Sequence, residues 1–328
     1  MGNYVQNCKS CDSKSEENNS ELKLTISGID EKDPIKRRRI LESKSQFEQK
    51  LSKIGKTIKN QKITQLLDSI NPTVNRVSIP EDIIQTRKPN TFEEPIIRFH
   101  NGEIYKGYWN LNNQRDGFGV SINPDGEIYL GLWDNDQIGD YGAFFDNVGN
   151  YYKGKFVNGK GNGQGEMVIF NKMKYIGDFV NDIPNGKGVM INLLDGSEYQ
   201  GDVINGKKEG RGTLKFRDGT LYEGEFKDDN FNGNGSLKYN NGSKYEGNFK
   251  DGKYEGNGKF TWEDGKTYIG SYVDGKRQGH GKLIWNDNKY YEGNWFNNEK
   301  HGEGLYYLNG KTLKGQFRYG KIITKNDD

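Results

Sequence analysis

The chain has 328 residues, of which only 31% are hydrophobic, and its mean hydropathy is −0.99. It contains no run of about 18 consecutive apolar residues, so a transmembrane helix is not expected. Simple disorder is not expected either, because 20 Tyr, 16 Phe and 5 Trp are too many aromatic residues for a solvated coil. The net charge of +2 gives no bulk reason to bind nucleic acid. An aromatic- and glycine-rich chain with few aliphatic residues indicates a repeat protein.

The composition divides the chain near residue 95. Of the 45 glycines, 42 lie at or after Gly102, whereas five of the seven prolines lie before residue 100. In chain order we expect a polar, disordered leader, a basic amphipathic helix, an extended linker containing prolines, a repeat array and a short tail. These segments span residues 1–33, 34–70, 71–98, 99–320 and 321–328.

The leader begins Met1-Gly2 and carries the only two cysteines of the chain, Cys8 and Cys11. A glycine followed closely by cysteines resembles a dual-acylation signal, with myristate on Gly2 and palmitate on a cysteine, although residue 6 is Gln where Ser or Thr is expected. The alternative is an unmodified, disordered leader. Two cysteines without a second pair or a nearby histidine do not predict a zinc site, and they favour a reducing, intracellular setting.

Residues 34–70 are predicted to form a basic amphipathic helix. The segment carries ten basic and three acidic residues, begins at Pro34 and is followed by Pro72. The residues that define its charge and its apolar stripe are Arg37, Arg38, Arg39, Phe47, Leu51, Ile54 and Ile58. A second apolar set beyond residue 60 is out of phase with this stripe, so a bend is expected there. Such a helix docks on a partner chain or on the array, lies on an anionic membrane, or binds a calmodulin-type protein, and the sequence leaves these alternatives open.

A repeat of about 23 residues fills the rest of the chain. Its first signature is Tyr-x-Gly-x-aromatic, as in Tyr222-Glu-Gly224-Glu-Phe226. The nine copies begin at Tyr105, Tyr129, Tyr152, Tyr175, Tyr199, Tyr222, Tyr245, Tyr268 and Tyr291. A tenth, degenerate copy begins at Leu313, and a Gly-x-Gly pair follows most of the tyrosines. A fixed period of this kind indicates a solenoid or array.

The spacing also predicts the local structure. Tyr222, Gly224 and Phe226 lie at i, i+2 and i+4, so they share one face of a strand. Each unit is predicted to be a β-hairpin with one apolar and one polar face, joined to the next by a tight turn such as Asn241-Gly242. Mid-strand glycines weaken a strand unless another group approaches closely, so aromatic rings are expected over them. The predicted fold is all-β, an elongated single-layer array of about ten hairpins.

The unit Tyr-x-Gly-x-(Trp/Phe), Gly-x-Gly, Asp-Gly resembles the MORN (membrane occupation and recognition nexus) repeat. The resemblance covers residues 99–320 and implies a β-hairpin array that serves as a scaffold or protein-binding surface. It also implies a setting in cytoskeletal, ciliary or membrane-junction proteins. The sequence departs from the pattern at Gly139-Asp-Tyr-Gly142, which replaces Gly-x-Gly, at Val203 in an aromatic position, and at Leu313.

The predicted function is a non-enzymatic scaffold that binds partner proteins within a cytoskeletal or ciliary assembly. The candidate rows for partner binding are Tyr222, Phe226, Tyr245, Phe249, Tyr268, Tyr272, Tyr291 and Trp295, and the alternative for each ring is purely structural stacking. The second hypothesis is a membrane tether that uses Gly2, Cys8, Cys11 and the basic helix. A homodimer through the open C-terminal strand, from Leu313 to Phe317, is also expected.

No catalytic, cofactor or metal site is predicted. His280 and His301 lie in or beside Gly-x-Gly pairs, where the residue type varies from unit to unit. The acidic residues of the turns are spaced by the repeat, so they form a ladder and not the converging pair that general acid–base catalysis needs. The glycine-rich run at 159–165 has no following helix, so it does not predict a phosphate-binding loop.

Overall fold

The computed structural model describes residues 55–57, 79–86, 88–93 and 96–323. The chain divides into two units, Met1–Ser45 and Gln46–Asp328, and every described residue belongs to the second. The predictions for the leader and for most of the basic helix therefore fall on residues outside the described part of the chain.

Antiparallel strands make up nearly all of the described structure. The strands are β1 Gly55–Thr57, β2 Phe92–Glu93, β3 Ile97–Phe99, β4 Ile104–Trp109, β5 Arg115–Ile122, β6 Ile128–Asp134, β7 Gln137–Phe145, β8 Tyr151–Val157, β9 Lys160–Ile169, β10 Met173–Val180, β11 Ile183–Asn192, β12 Glu198–Ile204, β13 Lys207–Lys215, β14 Leu221–Lys227, β15 Asn230–Lys238, β16 Lys244–Lys250, β17 Lys253–Thr261, β18 Thr267–Val273, β19 Lys276–Asn286, β20 Lys289–Phe296, β21 Glu299–Leu308, β22 Lys311–Arg318 and β23 Lys321–Ile322. One helical turn, α1, spans Glu81–Ile84.

The strands form one antiparallel meander. From β4 to β23, consecutive strands pair with each other. At the N-terminal end, β3 pairs with the first half of β4, β2 pairs with its second half, and β1 pairs with β3. The two strands of each sequence unit form one hairpin, so the prediction of an all-β hairpin array is confirmed.

The turns are of two kinds, and the tight ones do not lie where the sequence predicted them. Inside a unit, Asp251 and Gly252 have φ values of 48° and 79°, as a two-residue type I′ turn requires. At the predicted join, Asn241-Gly242, only Gly242 has a positive φ, of 89°. The Gly242 N–H donates to the carbonyl of Tyr239, so this join is a longer loop that needs one left-handed residue.

A single row of glycines crosses the sheet from β4 to β22, as where Gly224 faces Gly235. The pairing register shifts between Gly224 and Glu225, which leaves Gly233 and Asn234 as bulge residues on the neighbouring strand. Gly233 has a φ of 59°, in the left-handed region that glycine adopts without steric cost. The Gly-x-Gly pair therefore has two separate causes, a bulge at its first glycine and a close approach at its second.

The larger part of the core lies on the face of the sheet that carries the repeat tyrosines, which we call the front face. One buried cluster on this face runs from Tyr175 to Phe317, and a second one from Ile97 to Phe156. The opposite side of the sheet is called the back face below. The core is therefore spread along the array and not gathered at one centre.

The back face of the first units is also apolar, which differs from the predicted polar back. A third buried cluster there is formed by Ile79, Ile122, Ile128, Leu130, Ala143 and Phe145. Ile79 comes from the segment before the array, and Ile83 of α1 packs against the same cluster. Lys88 then forms salt bridges of 2.7 Å with Asp116 and 2.8 Å with Asp134. The segment around α1 thus lies along the first hairpins and covers an apolar area.

Three predicted boundaries differ from the observed ones. Gly55–Thr57 form β1 where a helix was predicted, β2 and the first residues of β3 lie inside the predicted linker, and β23 extends the sheet to Ile322 inside the predicted tail. These short strands pair with backbone groups of β3, β4 and β22 that would otherwise form open sheet edges. Because β23 pairs only with Phe317 and Arg318, the homodimer through the β22 edge stays a prediction for the rest of that strand.

Candidate interaction surface

The repeat tyrosines lie over the row of glycines. A Cβ atom placed on either Gly224 or Gly235 would lie 2.5 Å from the hydroxyl oxygen of Tyr222. This hydroxyl donates a 2.8 Å hydrogen bond to the carbonyl of Glu225. The same bond, from each tyrosine to the carbonyl three residues later, is present in all nine units that have the tyrosine. The buried hydroxyls are therefore satisfied within the sheet.

The aromatic rings of neighbouring units interlock edge to face. The Tyr222 ring lies 5.1 Å from the ring of Phe226 in its own unit and 5.1 Å from Phe249 in the next, at interplanar angles of 87° and 90°. Edge-to-face pairs at this separation contribute about 0.5–1.5 kcal/mol beyond the burial of their area. Each unit is thus stabilised by the next one.

The rows predicted as the partner groove lie beneath the surface. Every one of them is at most 4% exposed, namely Tyr222, Phe226, Tyr245, Phe249, Tyr268, Tyr272, Tyr291 and Trp295. Burial raises the pKa of Tyr291 to about 12 and raises the pKa of Tyr222 further. These eight side chains stack as the structural alternative predicts, and a partner that docks on the folded sheet would meet the side chains above them.

A second layer of half-exposed aromatic side chains covers these rows from β15 to β21. We call this layer the aromatic surface, and it consists of Phe231, Tyr239, Tyr254, Phe260, Trp262, Trp285 and Tyr306. Phe231 stacks on Tyr222 with ring centroids 3.7 Å apart, and Tyr254 stacks on Tyr245 at 3.8 Å. Sequence analysis missed this layer because it lies outside the Tyr-x-Gly-x-aromatic motif. Positions 231, 254, 277 and 300 are 23 residues apart, and this equal spacing could have identified the side chains that stack directly on the repeat tyrosines.

Cations replace the stacked aromatic ring in the last two of these positions. The guanidinium carbon of Arg277 lies 4.4 Å from the ring centroid of Trp295, and the Lys300 ammonium lies 5.1 Å from that of Tyr291. Burial lowers the pKa of Lys300, and the positive charges of Lys289 and Arg277 lower it further. The C-terminal part of the aromatic surface is therefore positively charged.

Two of the three histidines lie in the units that begin at Tyr268 and Tyr291. His280 is exposed on the back face, and the His301 ring lies 5.6 Å from Phe296 and 5.8 Å from Tyr319. Within the described ranges, no three His, Cys, Asp or Glu side chains are grouped closely enough to hold a metal ion. A search of the same ranges finds no helix with the length and apolarity to span a membrane.

The N-terminal candidate residues lie outside the described residues. They are Gly2, Cys8, Cys11, Arg37, Arg38, Arg39, Phe47, Leu51, Ile54 and Ile58. Acylation of Gly2 and the cysteines therefore stays a prediction, and so does a basic helix that binds a membrane or a partner.

Comparison with solved structures finds SAS-4 and CPAP domains at low similarity. The TCP domain of SAS-4 (dCPAP) from Drosophila melanogaster, in complex with a proline-rich motif of Ana2, is 14% identical over 55% of this chain and 85% of that chain, with a TM-score of 0.28. The TCP10 domain of CPAP from Danio rerio is 13% identical over 57% of this chain and 92% of that chain, with a TM-score of 0.32. These scores are too low to support a functional comparison. A search of curated proteins finds no match.

Comparison with protein families matches eight segments of the array to one family. The MORN repeat model matches residues 105–128, 152–172, 175–191, 199–221, 222–244, 245–267, 268–290 and 291–312. It omits the unit of Tyr129, where Gly139-Asp-Tyr-Gly142 replaces Gly-x-Gly, and the degenerate last copy. The MORN repeat is a non-enzymatic repeat module, and the matches cover more than half of the residues. The chain therefore belongs to the MORN repeat family.

Proposed function

We propose that this protein is a non-enzymatic scaffold that binds partner proteins along the front face of its hairpin array, within a cytoskeletal or ciliary assembly. The observation that carries the proposal is the aromatic surface, a half-exposed layer of rings that continues across seven strands. Aromatic side chains are enriched at protein interfaces, where they contribute large contact area at low entropic cost. The assembly class is supported by the family resemblance.

The buried layer gives this surface the rigidity that a scaffold needs. The tyrosines below it are held by hydrogen bonds to backbone carbonyls opposite the bulges and by edge-to-face contacts with rings of their own unit and of the next one. Side chains such as Phe231 and Tyr254 are stacked on these fixed rings, so little conformational entropy is lost when a partner covers them.

A site-specific photo-crosslinking experiment tests this function. A photoreactive phenylalanine analogue replaces Trp262 of the front face in the full chain, and a matched chain carries it in place of the exposed back-face residue Lys238. We expect a defined protein adduct in cells only from position 262. Equal adducts from both positions, or none from position 262, would contradict a front-face scaffold. Imaging of the tagged chain then checks the cytoskeletal or ciliary setting.

The membrane tether remains the alternative on the basis of the N-terminal residues Gly2, Cys8 and Cys11. One myristoyl chain gives only marginal membrane binding, so the tether requires a cysteine acyl chain or the basic segment as a second signal. A Gly2→Ala variant that leaves the chain at its original cellular position would exclude the tether, whereas release from a membrane would favour it.

A further inference from the structure

On the front face of the last units, the positive side chains are not balanced by acidic side chains of the strands. Between β17 and β22, Lys266, Arg277, Lys289, Lys300 and Lys311 all lie on this face, together with Trp262, Trp285 and Tyr306. We call these eight residues the basic aromatic patch. The strands β18 to β22 contain three acidic residues, Glu292, Glu299 and Glu303, and the pairing register places all three on the back face.

The charge of Arg277 can be compared with that of the equivalent arginine in the first unit. Arg115 in the first unit corresponds to Arg277, and both guanidinium groups lie over a tryptophan ring. Arg115 forms a 2.6 Å salt bridge with Glu103 and a 3.2 Å one with Asp136. Its charge is therefore neutralised within the array.

At Arg277 both acidic positions are occupied by other residues. Lys266 stands where Glu103 stands in the first unit, and Asn298 stands where Asp136 stands. The backbone contact is kept, because the Arg277 N–H donates to Asn298 Oδ1 at 2.8 Å, as the Arg115 N–H donates to Asp136 Oδ1 at 2.9 Å. The charge is therefore removed at position 298 and reversed at position 266.

Lys289 and Lys300 contact aromatic rings and not carboxylates. Lys300 lies 5.0 Å from the ring of Trp285 and 5.1 Å from that of Tyr306, and Lys289 lies 5.2 Å from Trp285. Among the described residues, no salt bridge joins Arg277, Lys289 or Lys300 to a carboxylate, while the exposed Asp264 lies 4.0 Å from Lys266 in the same turn. Other lysines of the array, such as Lys253 with Asp274, are paired between neighbouring units.

We propose that the basic aromatic patch binds an acidic, extended segment of a partner protein. This inference rests on the proposed scaffold function and names the chemistry of the partner. Carboxylates of the segment would pair with the half-exposed cations and with the exposed Lys311, and its apolar groups would lie on the half-exposed rings between them. A protein segment fits better than a lipid surface, because the cations alternate with rings along the array.

The spacing of the patch defines the pattern of the segment. Lys266 directly precedes β18, and Lys289 and Lys311 are the first residues of β20 and β22, so neighbouring lysines are two strands, or about 9.6 Å, apart. In a polyproline II conformation, residues three apart lie on one side and about 9.3 Å from each other. An acidic residue at every third position would therefore meet successive units.

The test uses the full chain and a fluorescent 12-residue peptide of four Glu-Ala-Pro triplets. The variant Lys266→Glu/Asn298→Asp restores at Arg277 the acidic surroundings of Arg115, so the fold is expected to be retained. The control Lys238→Glu/Asn158→Asp changes the net charge equally, on the exposed back face and in a remote turn.

We expect the parent and the control to bind the peptide, with an affinity that falls as salt is added. We expect about tenfold weaker binding by the Lys266→Glu/Asn298→Asp variant and no binding of a Lys-Ala-Pro peptide by any chain. Equal affinity of parent and variant, or binding of the parent to phosphatidylserine vesicles and not to the peptide, would overturn the inference. If that variant still gives the position-262 adduct in cells at parental yield, the scaffold function stands and the acidic partner is rejected.

Discussion

The hydroxyl of Tyr222 donates a hydrogen bond to the backbone carbonyl of Glu225, three residues later and 2.8 Å away. The pairing register shifts at this point, between Gly224 and Glu225, so the tyrosine satisfies a carbonyl beside a bulge. One side chain thus buries its ring over the glycines and also hydrogen-bonds the backbone where the ladder is interrupted. This double role explains why tyrosine, and not phenylalanine, begins each complete unit.

Replacement of Tyr222 by Phe tests the polar half of this role. The variant keeps the ring and loses the hydrogen bond to Glu225, so we expect a loss of about 1 kcal/mol in the free energy of unfolding. Tyr319 is 62% exposed, and Tyr319→Phe is the matched control with an expected change below about 0.5 kcal/mol. Urea unfolding followed by circular dichroism measures both. Equal stability of the two variants would show that the buried bond contributes nothing.

Replacement of Gly224 by Ala tests the close approach of ring and backbone. The new Cβ would lie 2.5 Å from the Tyr222 hydroxyl oxygen and 2.6 Å from the Cα of Gly235, so ring and neighbouring strand would have to move. We expect a loss of about 3 kcal/mol or more, because overpacking here also breaks the Tyr222 hydrogen bond.

The matched control is Gly315→Ala in the degenerate unit. Gly315 belongs to the same glycine row, but Leu313 stands where the tyrosine would be, and the new Cβ would meet only the flexible end of Ile322, at 2.8 Å. We expect a loss of about 1 kcal/mol or less there. Similar losses at Gly224 and Gly315 would mean that the ring is not the cause.

Alkaline pH is expected to unfold the array. Burial raises the pKa of Tyr152, Tyr175, Tyr268 and Tyr291 to about 12, from an ordinary value of 10.0. Their contribution to stability is therefore complete below pH 10 and is lost as the pH rises from about 10 to 12, since the unfolded chain releases these protons first. Urea unfolding at increasing pH, combined with tyrosinate absorbance, should show a steep loss of stability in this window. Full ionisation near pH 10 in a chain that remains folded would contradict it.

The front face could be predicted from the sequence because it depends on local spacing. Tyr222, Gly224 and Phe226 alternate with polar residues, and a strand places alternate residues on one face whatever surrounds it. The repeat tyrosines and their glycines could therefore be assigned to one face without a structure. The family resemblance follows from the same residues.

The features that escaped prediction depend on contacts between units or on turn geometry. Phe231 stacks on Tyr222 only because a two-residue turn folds β15 back along β14, and that turn is the dipeptide Asp228-Asp229, without glycine. The charge of the patch at Arg277 requires knowledge of which residues face it across two hairpins. The apolar back face was missed because its cover, Ile79, lies outside the repeat.

Replacement of Ile79 by Ala tests whether the segment before the array stabilises the first hairpins. Ile79 is 8% exposed and packs on the back-face cluster around Leu130 and Ala143, so we expect a loss of about 2 kcal/mol or more and greater exposure of this cluster. Ile84, the last residue of α1, is 45% exposed, so Ile84→Ala is the matched control, with an expected loss well below that of Ile79→Ala. Hydrogen exchange of β6 and β7 amides, with urea unfolding of the full chain, measures both effects. Unchanged exchange in the Ile79 variant would show that the first hairpins are stable without this cover.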